Sequence, residues 1–147
     1  MDGAPSLPNN SNSPLGIQVL LDTNFLLLPF QRHIDIYEEI PRLLGGQVQF
    51  LILPQILTEL KWLETKGSTK NKTAAKSTMT LISRHCQIVE DLPSAIQDLD
   101  ADSALLRWAQ QTGAIVATND GELRRKLANQ GSRAIFLRKL AVLALSE

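Results

Sequence analysis

Cysteine is nearly absent from this 147-residue chain, Cys86 being the only one. A lone thiol excludes an intramolecular disulfide and any cysteine-built zinc site, and it agrees with a reducing, cytoplasmic setting. Histidine is almost as scarce. His33 and His85 have no nucleophile nearby in the sequence pattern, so both read as surface or local packing residues and no catalytic triad is indicated. Excess charge of either sign is missing too: 15 basic and 15 acidic side chains cancel. Global charge therefore makes no case for nucleic acid, and the local distribution has to be read. No apolar run approaches the ~20 residues a membrane-crossing helix needs. Residues 1–16 are rich in Pro, Asn and Ser, without a basic start or an apolar stretch, and read as a flexible lead-in and not as a signal peptide. Internal repeats and domain linkers are also missing.

The 44% hydrophobic content supports one globular domain, expected over residues 17–147. Ile17 to Leu21 reads as a buried strand. Phe25 to Phe30 reads as a short helix that Pro29 weakens. Ile34 to Leu44 has helical spacing and is stopped by Gly45-Gly46. Val48 to Leu53 is a second strand. Pro54 then opens a helix carrying Ile56, Leu57, Leu60 and Leu63 on one stripe, which is interrupted at Gly67-Ser68. Lys72 to Arg84 predicts another helix. A short strand begins near Cys86, and Asp91 to Leu99 is a loop or a single turn around Pro93. Helical spacing resumes near Asp100, a good cap, and ends at Gly113. Ala114 to Thr118 is a strand. Asn119, with Glu122 three residues on, is read as the cap of the next helix. Ala134 to Leu137 is the last clear strand, and Leu140 to Leu145 is either a final strand or a contact surface. Trp108 is expected in the core, and Trp62 either there or at an interface.

Strands and helices alternate with short links. The expected fold class is α/β, a three-layer α/β/α sandwich around a central, mostly parallel sheet. Such sheets bind ligands beyond the C-terminal ends of their strands. The first strand runs out into Asp22-Thr23-Asn24 and the fourth into Thr118-Asn119-Asp120, which puts a carboxylate at each end. Glu59 lies early in the helix after the second strand, and Asp102 in the first turn of a later one. Taken singly, an aspartate after a strand serves equally well as a turn residue or a helix cap, and Glu59 as a polar position of an amphipathic helix. Taken together, Asp22, Glu59, Asp102 and Asp120 make an acidic centre suited to hard divalent cations, Mg²⁺ or Mn²⁺. Clustered carboxylates repel unless a cation offsets the repulsion. Asn24, Asn119, Thr118 and Asp100 are the supporting candidates, as caps or as groups that orient the carboxylates. Thr23 also carries a hydroxyl near the same edge.

These residues resemble the motifs of the PIN-domain nucleases, over about Ile17 to Leu137. The motifs occur in order as Leu21-Asp22-Thr23-Asn24, Leu57-Thr58-Glu59-Leu60, Asp102 within Asp100 to Leu105, and Ala117-Thr118-Asn119-Asp120 with Glu122-Leu123. The likeness is to the branch holding archaeal and ribosomal-RNA-processing members. It implies a PIN-like fold and assigns the four carboxylates as metal ligands. It also implies hydrolysis of RNA by an endoribonuclease that leaves 5′-phosphate and 3′-hydroxyl ends. The family further implies self-association, often as a dimer, and in its toxin branch an antitoxin partner. One departure is visible. Some relatives carry paired aspartates at the third motif where this chain has Ala101-Asp102, with Asp98 or Asp100 placed to compensate. That departure keeps open a catalytically weak domain serving as an RNA-binding or assembly module. A DNA-preferring nuclease is the other alternative.

Basic residues gather in two places. Lys61, Lys66, Lys70, Lys72, Lys76 and Arg84 share a segment whose one acidic residue is Glu64, and Arg124-Arg125-Lys126 follow Asp120. Lys66, Lys70, Lys72, Lys76, Arg124 and Arg125 are the candidates to guide nucleic-acid phosphates. The plain alternative is a solvated surface.

Overall fold

The computed structural model describes residues 16–139 and 142–146. The lead-in expected at residues 1–16 lies outside them except for Gly16, as do residues 140 and 141 of the closing apolar stretch. The strands are β1 (Ile17–Leu21), β2 (Val48–Ile52), β3 (Cys86–Ile88), β4 (Ile115–Ala117), β5 (Ala134–Arg138) and β6 (Val142–Leu145). They form one sheet in the order β3-β2-β1-β4-β5-β6, parallel throughout except for β6, which runs antiparallel to β5. Val19, Leu20 and Leu21 are fully buried in succession. A strand covered on both faces needs such a continuous apolar run, and an alternating one would not serve. The molecule is an α/β sandwich, as expected. The closing stretch, left open between a strand and a contact surface, supplies a strand.

The strand order creates a crevice beside β1. From β1 the chain steps outward to β2 and β3, then returns to the other side of β1 for β4 and β5. Right-handed crossovers running in opposite directions put their helices on opposite faces of the sheet. The loops after β1 and β4 therefore diverge and leave an opening at the C-terminal ends of these two neighbouring strands.

The helices are α1 (Thr23–Leu26), α2 (Leu28–Gln31), α3 (Ile36–Leu44), α4 (Pro54–Lys66), α5 (Thr69–His85), α6 (Ser94–Gln97), α7 (Ala101–Thr112) and α8 (Gly121–Asn129). The single short helix expected over Phe25 to Phe30 is two separate turns. Pro29 lacks an N–H and so fits the first turn of α2 but not the interior of a longer helix. The next helix starts at Ile36 and not Ile34, because the Asp35 side chain caps the N–H groups of Tyr37 and Glu38. Its end is set by Gly45, whose φ of 71° is the left-handed conformation a glycine adopts at least cost. The Lys72 helix starts earlier, at Thr69, with Ser68 as cap. Gly67 permits the sharp reversal before it: a Cβ there would lie 2.6 Å from the Leu63 carbonyl oxygen. Among the described residues no helix is long and apolar enough to cross a membrane.

Two further expectations change. Asn119 does not cap α8. Asp120 does, accepting the N–H groups of Glu122 and Leu123 at 2.9 and 3.3 Å. Trp62 is not in the core, being 60% exposed, whereas Trp108 is buried there as expected.

Candidate metal centre

Asp22 stands at the crevice between β1 and β4. Its backbone N–H donates to the Ala117 carbonyl at 3.0 Å, so strand pairing continues one residue past β1 and fixes where the carboxylate sits. The side chain is 5% exposed. Its Oδ1 accepts the Thr23 N–H at 2.8 Å, and its Oδ2 accepts the Thr118 hydroxyl at 2.6 Å and the Asn24 amide at 3.4 Å. Thr118, itself fully buried, accepts the Asp120 N–H on the same hydroxyl at 3.1 Å. One threonine thus sets the spacing between the carboxylate after β1 and the residue after β4.

The asparagines lock the two loops together. Asn24 Oδ1 accepts the Asn119 N–H at 3.1 Å, and Asn119 Oδ1 accepts the Leu137 N–H of β5 at 2.9 Å. The Asn119 side chain is therefore committed to the sheet, which leaves the capping of α8 to Asp120. Glu59 reaches the same edge from α4, where its exposed carboxylate accepts the Thr23 hydroxyl. Asp102 enters from the first turn of α7, half-buried. Asp100 caps α7 through the Ser103 N–H at 3.3 Å and is exposed.

Charge reaches Asp22 and Asp102 from the neighbouring carboxylates. Burial is the main cause raising Asp22 above the usual carboxylate range. The Thr118 and Thr23 hydrogen bonds oppose it, and the charges of Glu59 and Asp120 add to it. Asp102 is raised by burial first, then by Asp22, Asp120 and Asp100, with Lys126 opposing. Asp100 is held low, mainly by its bonds to Ser103 and in small part by Lys126. Among the described residues, no three His, Cys, Asp or Glu side chains form a ready-made metal cage. The donor set is all oxygen and all anionic. It suits a hard cation that keeps several waters and takes only one or two carboxylates directly.

The basic candidates are placed less uniformly. Lys66, Lys70, Lys72 and Lys76 are exposed on the α4–α5 hairpin. Lys70 lines a cavity of about 540 Å³ with Phe30, Gln31, Asn71 and Thr73. Lys72 and Lys76 flank a second hollow with Glu64 and Thr65. Both hollows border α5, and none of the four carboxylates lines either. The Arg124 guanidinium lies 3.7 Å from the centroid of the Phe136 ring. With Arg125 it lines a hollow beside Ala134 and Ser146. Lys126, which the sequence reading left out of the guiding set, is the residue of that trio whose charge acts on Asp102 and Asp100. Gln55 was also missed. Its amide donates to the carbonyls of Ile96 at 2.9 Å and Leu99 at 3.2 Å, holding the loop that leads into α7. No local signal marks it, since its partners are more than 40 residues away in sequence.

A family model described as a PIN like domain matches residues 19–140. The chain is 29% identical over 120 residues to Ribonuclease VapC9 of Archaeoglobus fulgidus, covering 82% of each protein. It is 30% identical over 124 residues to Ribonuclease VapC4 of Methanocaldococcus jannaschii, covering 83% of this chain and 91% of that one. Among solved structures, the PIN domain endonuclease Utp24 superposes with a TM-score of 0.68 at 22% identity, over 88% of this chain and 91% of the other.

Proposed function

The chain belongs to the PIN-domain family, and from that premise we propose that it is a divalent-metal-dependent endoribonuclease. The observation that carries the proposal is the buried Asp22 carboxylate at the β1–β4 crevice, raised further by the charges of Glu59 and Asp120 and itself raising Asp102 from α7. Acids that repel one another beside a phosphate-bearing substrate are useful only with a cation among them. Both VapC relatives are named ribonucleases, which favours RNA over DNA as substrate.

Mg²⁺ or Mn²⁺ would be held by these carboxylates, directly or through water. When bound, the cation activates water for attack and offsets the negative charge that gathers on the phosphate. The chain's own residues set the geometry. Thr118 and the Thr23 N–H pin both oxygens of Asp22, so one ligand is preorganised. Thr23 tethers Glu59, which would otherwise swing freely from an exposed helix face. Asn24 and Asn119 hold the two loops at fixed separation. Lys126 is the cation nearest in effect to Asp102, placed to draw in a phosphate. In the reaction, a water oxygen bonds to phosphorus and the bond to the 3′ oxygen breaks. The 3′ oxygen takes up a proton, leaving a 5′-phosphate and a 3′-hydroxyl.

We extend the proposal to the setting: cytoplasmic, with a protein partner of antitoxin type or a second copy of this chain. Supporting self-association, β6 is an edge strand carrying Val142 at 54% exposure, and open edges pair readily. The decisive assay incubates the protein with Mn²⁺ and a panel of single-stranded and structured RNAs, with matched DNAs in parallel. RNA cleavage that is lost in Asp22→Asn, with 5′-phosphate ends on the products, is the expected result. Cleavage that survives Asp22→Asn, or acts on DNA alone, overturns the proposal.

A further inference from the structure

We propose that Trp62 is a stacking platform for an unpaired base of the RNA strand beside the scissile phosphate, with Lys66 gripping the adjoining backbone. The inference rests on the nuclease reading and deepens it, since it specifies single-stranded RNA at this position.

Gln55, Glu59, Trp62 and Lys66 follow one another on α4 at steps of four, three and four residues, the spacing of one continuous helical stripe. The lower end of the stripe is anchored to the acidic site. Gln55 holds the Ile96 and Leu99 carbonyls before α7, and Glu59 accepts the Thr23 hydroxyl next to Asp22. Trp62 stands less than one turn beyond Glu59, about 4.5 Å further along the helix axis. A base next to a phosphate held among the carboxylates would therefore lie within reach of this indole.

The indole is 60% exposed, on a helix that buries Ile56 and Leu60 on its opposite side. A large aromatic left in solvent forgoes the burial that stabilises Trp108 and offers an open ring face with a polar edge to a partner. Its surroundings decide which kind. Lys61 and Lys66 flank it, both exposed. Helix α5, which continues the hairpin, has no acidic residue from Thr69 to His85, and its Lys72 and Lys76 border the hollow that Glu64 and Thr65 of α4 also line. Among the described residues the ion pairs are those of Arg42 with Glu38 and Glu39, so these lysines are free to meet an outside anion. Protein–protein interface cores are depleted in lysine. An aromatic face among unpaired cations is the arrangement that binds single strands without reading their sequence.

The test measures anisotropy of a fluorescein-labelled single-stranded polyadenylate, and of an abasic strand of equal length and charge, in Mn²⁺. Each Trp62 form carries Asp22→Asn to prevent cleavage. Trp62→Ala is expected to weaken polyadenylate binding roughly five- to a hundred-fold, while Trp62→Phe keeps most of it. The abasic strand is expected to bind both substituted forms and their Trp62 parent alike. An unchanged melting temperature for Trp62→Ala shows that the fold is intact. If Trp62→Ala binds polyadenylate as its parent does, the stacking role is refuted and the nuclease reading stands. If Trp62→Ala converts a dimer to a monomer in sedimentation with RNA affinity unchanged, the face is a protein interface and the inference fails. If the protein with native Trp62 binds no RNA and the unsubstituted enzyme cuts none, the nuclease reading fails and takes this one with it.

Discussion

Replacing Asp102 by Asn should have opposite effects on stability with and without metal. Asp102 is raised above the ordinary carboxylate range by burial and by the charges of Asp22 and Asp120. Its ionised form is therefore disfavoured in the metal-free fold, and no hydrogen bond to its side chain among the described residues would be lost in Asn. Since Asp102 is only half-buried, solvent screening reduces the relief to on the order of 1 kcal/mol. For a chain of this size that is about 3 °C in melting temperature. A folded-state pKa above the unfolded value contributes stability that is present below the unfolded pKa of about 4 and is lost as pH rises through the folded pKa. The advantage of Asn should therefore be absent in acid and open toward neutral pH. Manganese should reverse the order. Saturation at a hundred times Kd adds about 2.7 kcal/mol to the native protein, and the variant, lacking one ligand, should gain much less. Scanning calorimetry in EDTA and in Mn²⁺, at pH 4 and pH 7, measures all four values. A variant that melts below the native protein in EDTA at pH 7 would show that Asp102 is a structural group, not a strained ligand. An equal gain in Mn²⁺ would remove it from the metal set.

Three other outcomes rest on the same geometry. Thr118→Val keeps the side chain's shape but leaves the buried Asp22 Oδ2 only its 3.4 Å bond from Asn24 and strands the Asp120 N–H. It should cost about 1–3 kcal/mol in urea unfolding and depress RNA cleavage. Asn119→Ala removes the acceptor of the Leu137 N–H and should cost about 1 kcal/mol. It should also leave the helix content in circular dichroism unchanged, because Asp120 and not Asn119 caps α8. Burial lifts the Cys86 thiol from 9.0 to about 11, against the opposing bond to Tyr37. Its reaction with iodoacetamide at pH 8 should therefore run about a hundred-fold slower than in urea-unfolded protein. Comparable rates would show that the thiol is not shielded.

The strands next to the site were legible because burial on both faces demands unbroken apolar runs, and Val19-Leu20-Leu21 and Ile115-Val116 are such runs. Asp22 stood out because it directly follows β1, and Asp102 and Asp120 because they lie at helix starts, whereas Glu59, inside α4, looks in isolation like any polar position of an amphipathic helix. What sequence could not supply was the choice between equivalent groups. Asn119 and Asp120 are equally good caps, and only the Leu137 N–H, 18 residues away, decides that Asn119 is already occupied. Likewise Lys126 and Arg124 are alike in composition, and the presence of Phe136 draws Arg124 onto its ring. Trp62 sits among apolar residues in sequence, yet its spacing puts it in step with Gln55, Glu59 and Lys66, on the side of α4 opposite the buried Ile56 and Leu60. The two turns α1 and α2 were merged because Phe25, Leu26, Leu27 and Leu28 are all buried, and a continuous apolar run does not show where a helix breaks.

The central claim is that Asp22, Glu59, Asp102 and Asp120 share one cation site. Anomalous diffraction from crystals soaked in Mn²⁺ tests it most directly. The expected result is a manganese peak in the β1–β4 crevice, coordinated by Asp22 and at least one of the other three, with waters completing the shell. A peak confined to other surface carboxylates, with these four left uncoordinated at saturating Mn²⁺, would contradict it.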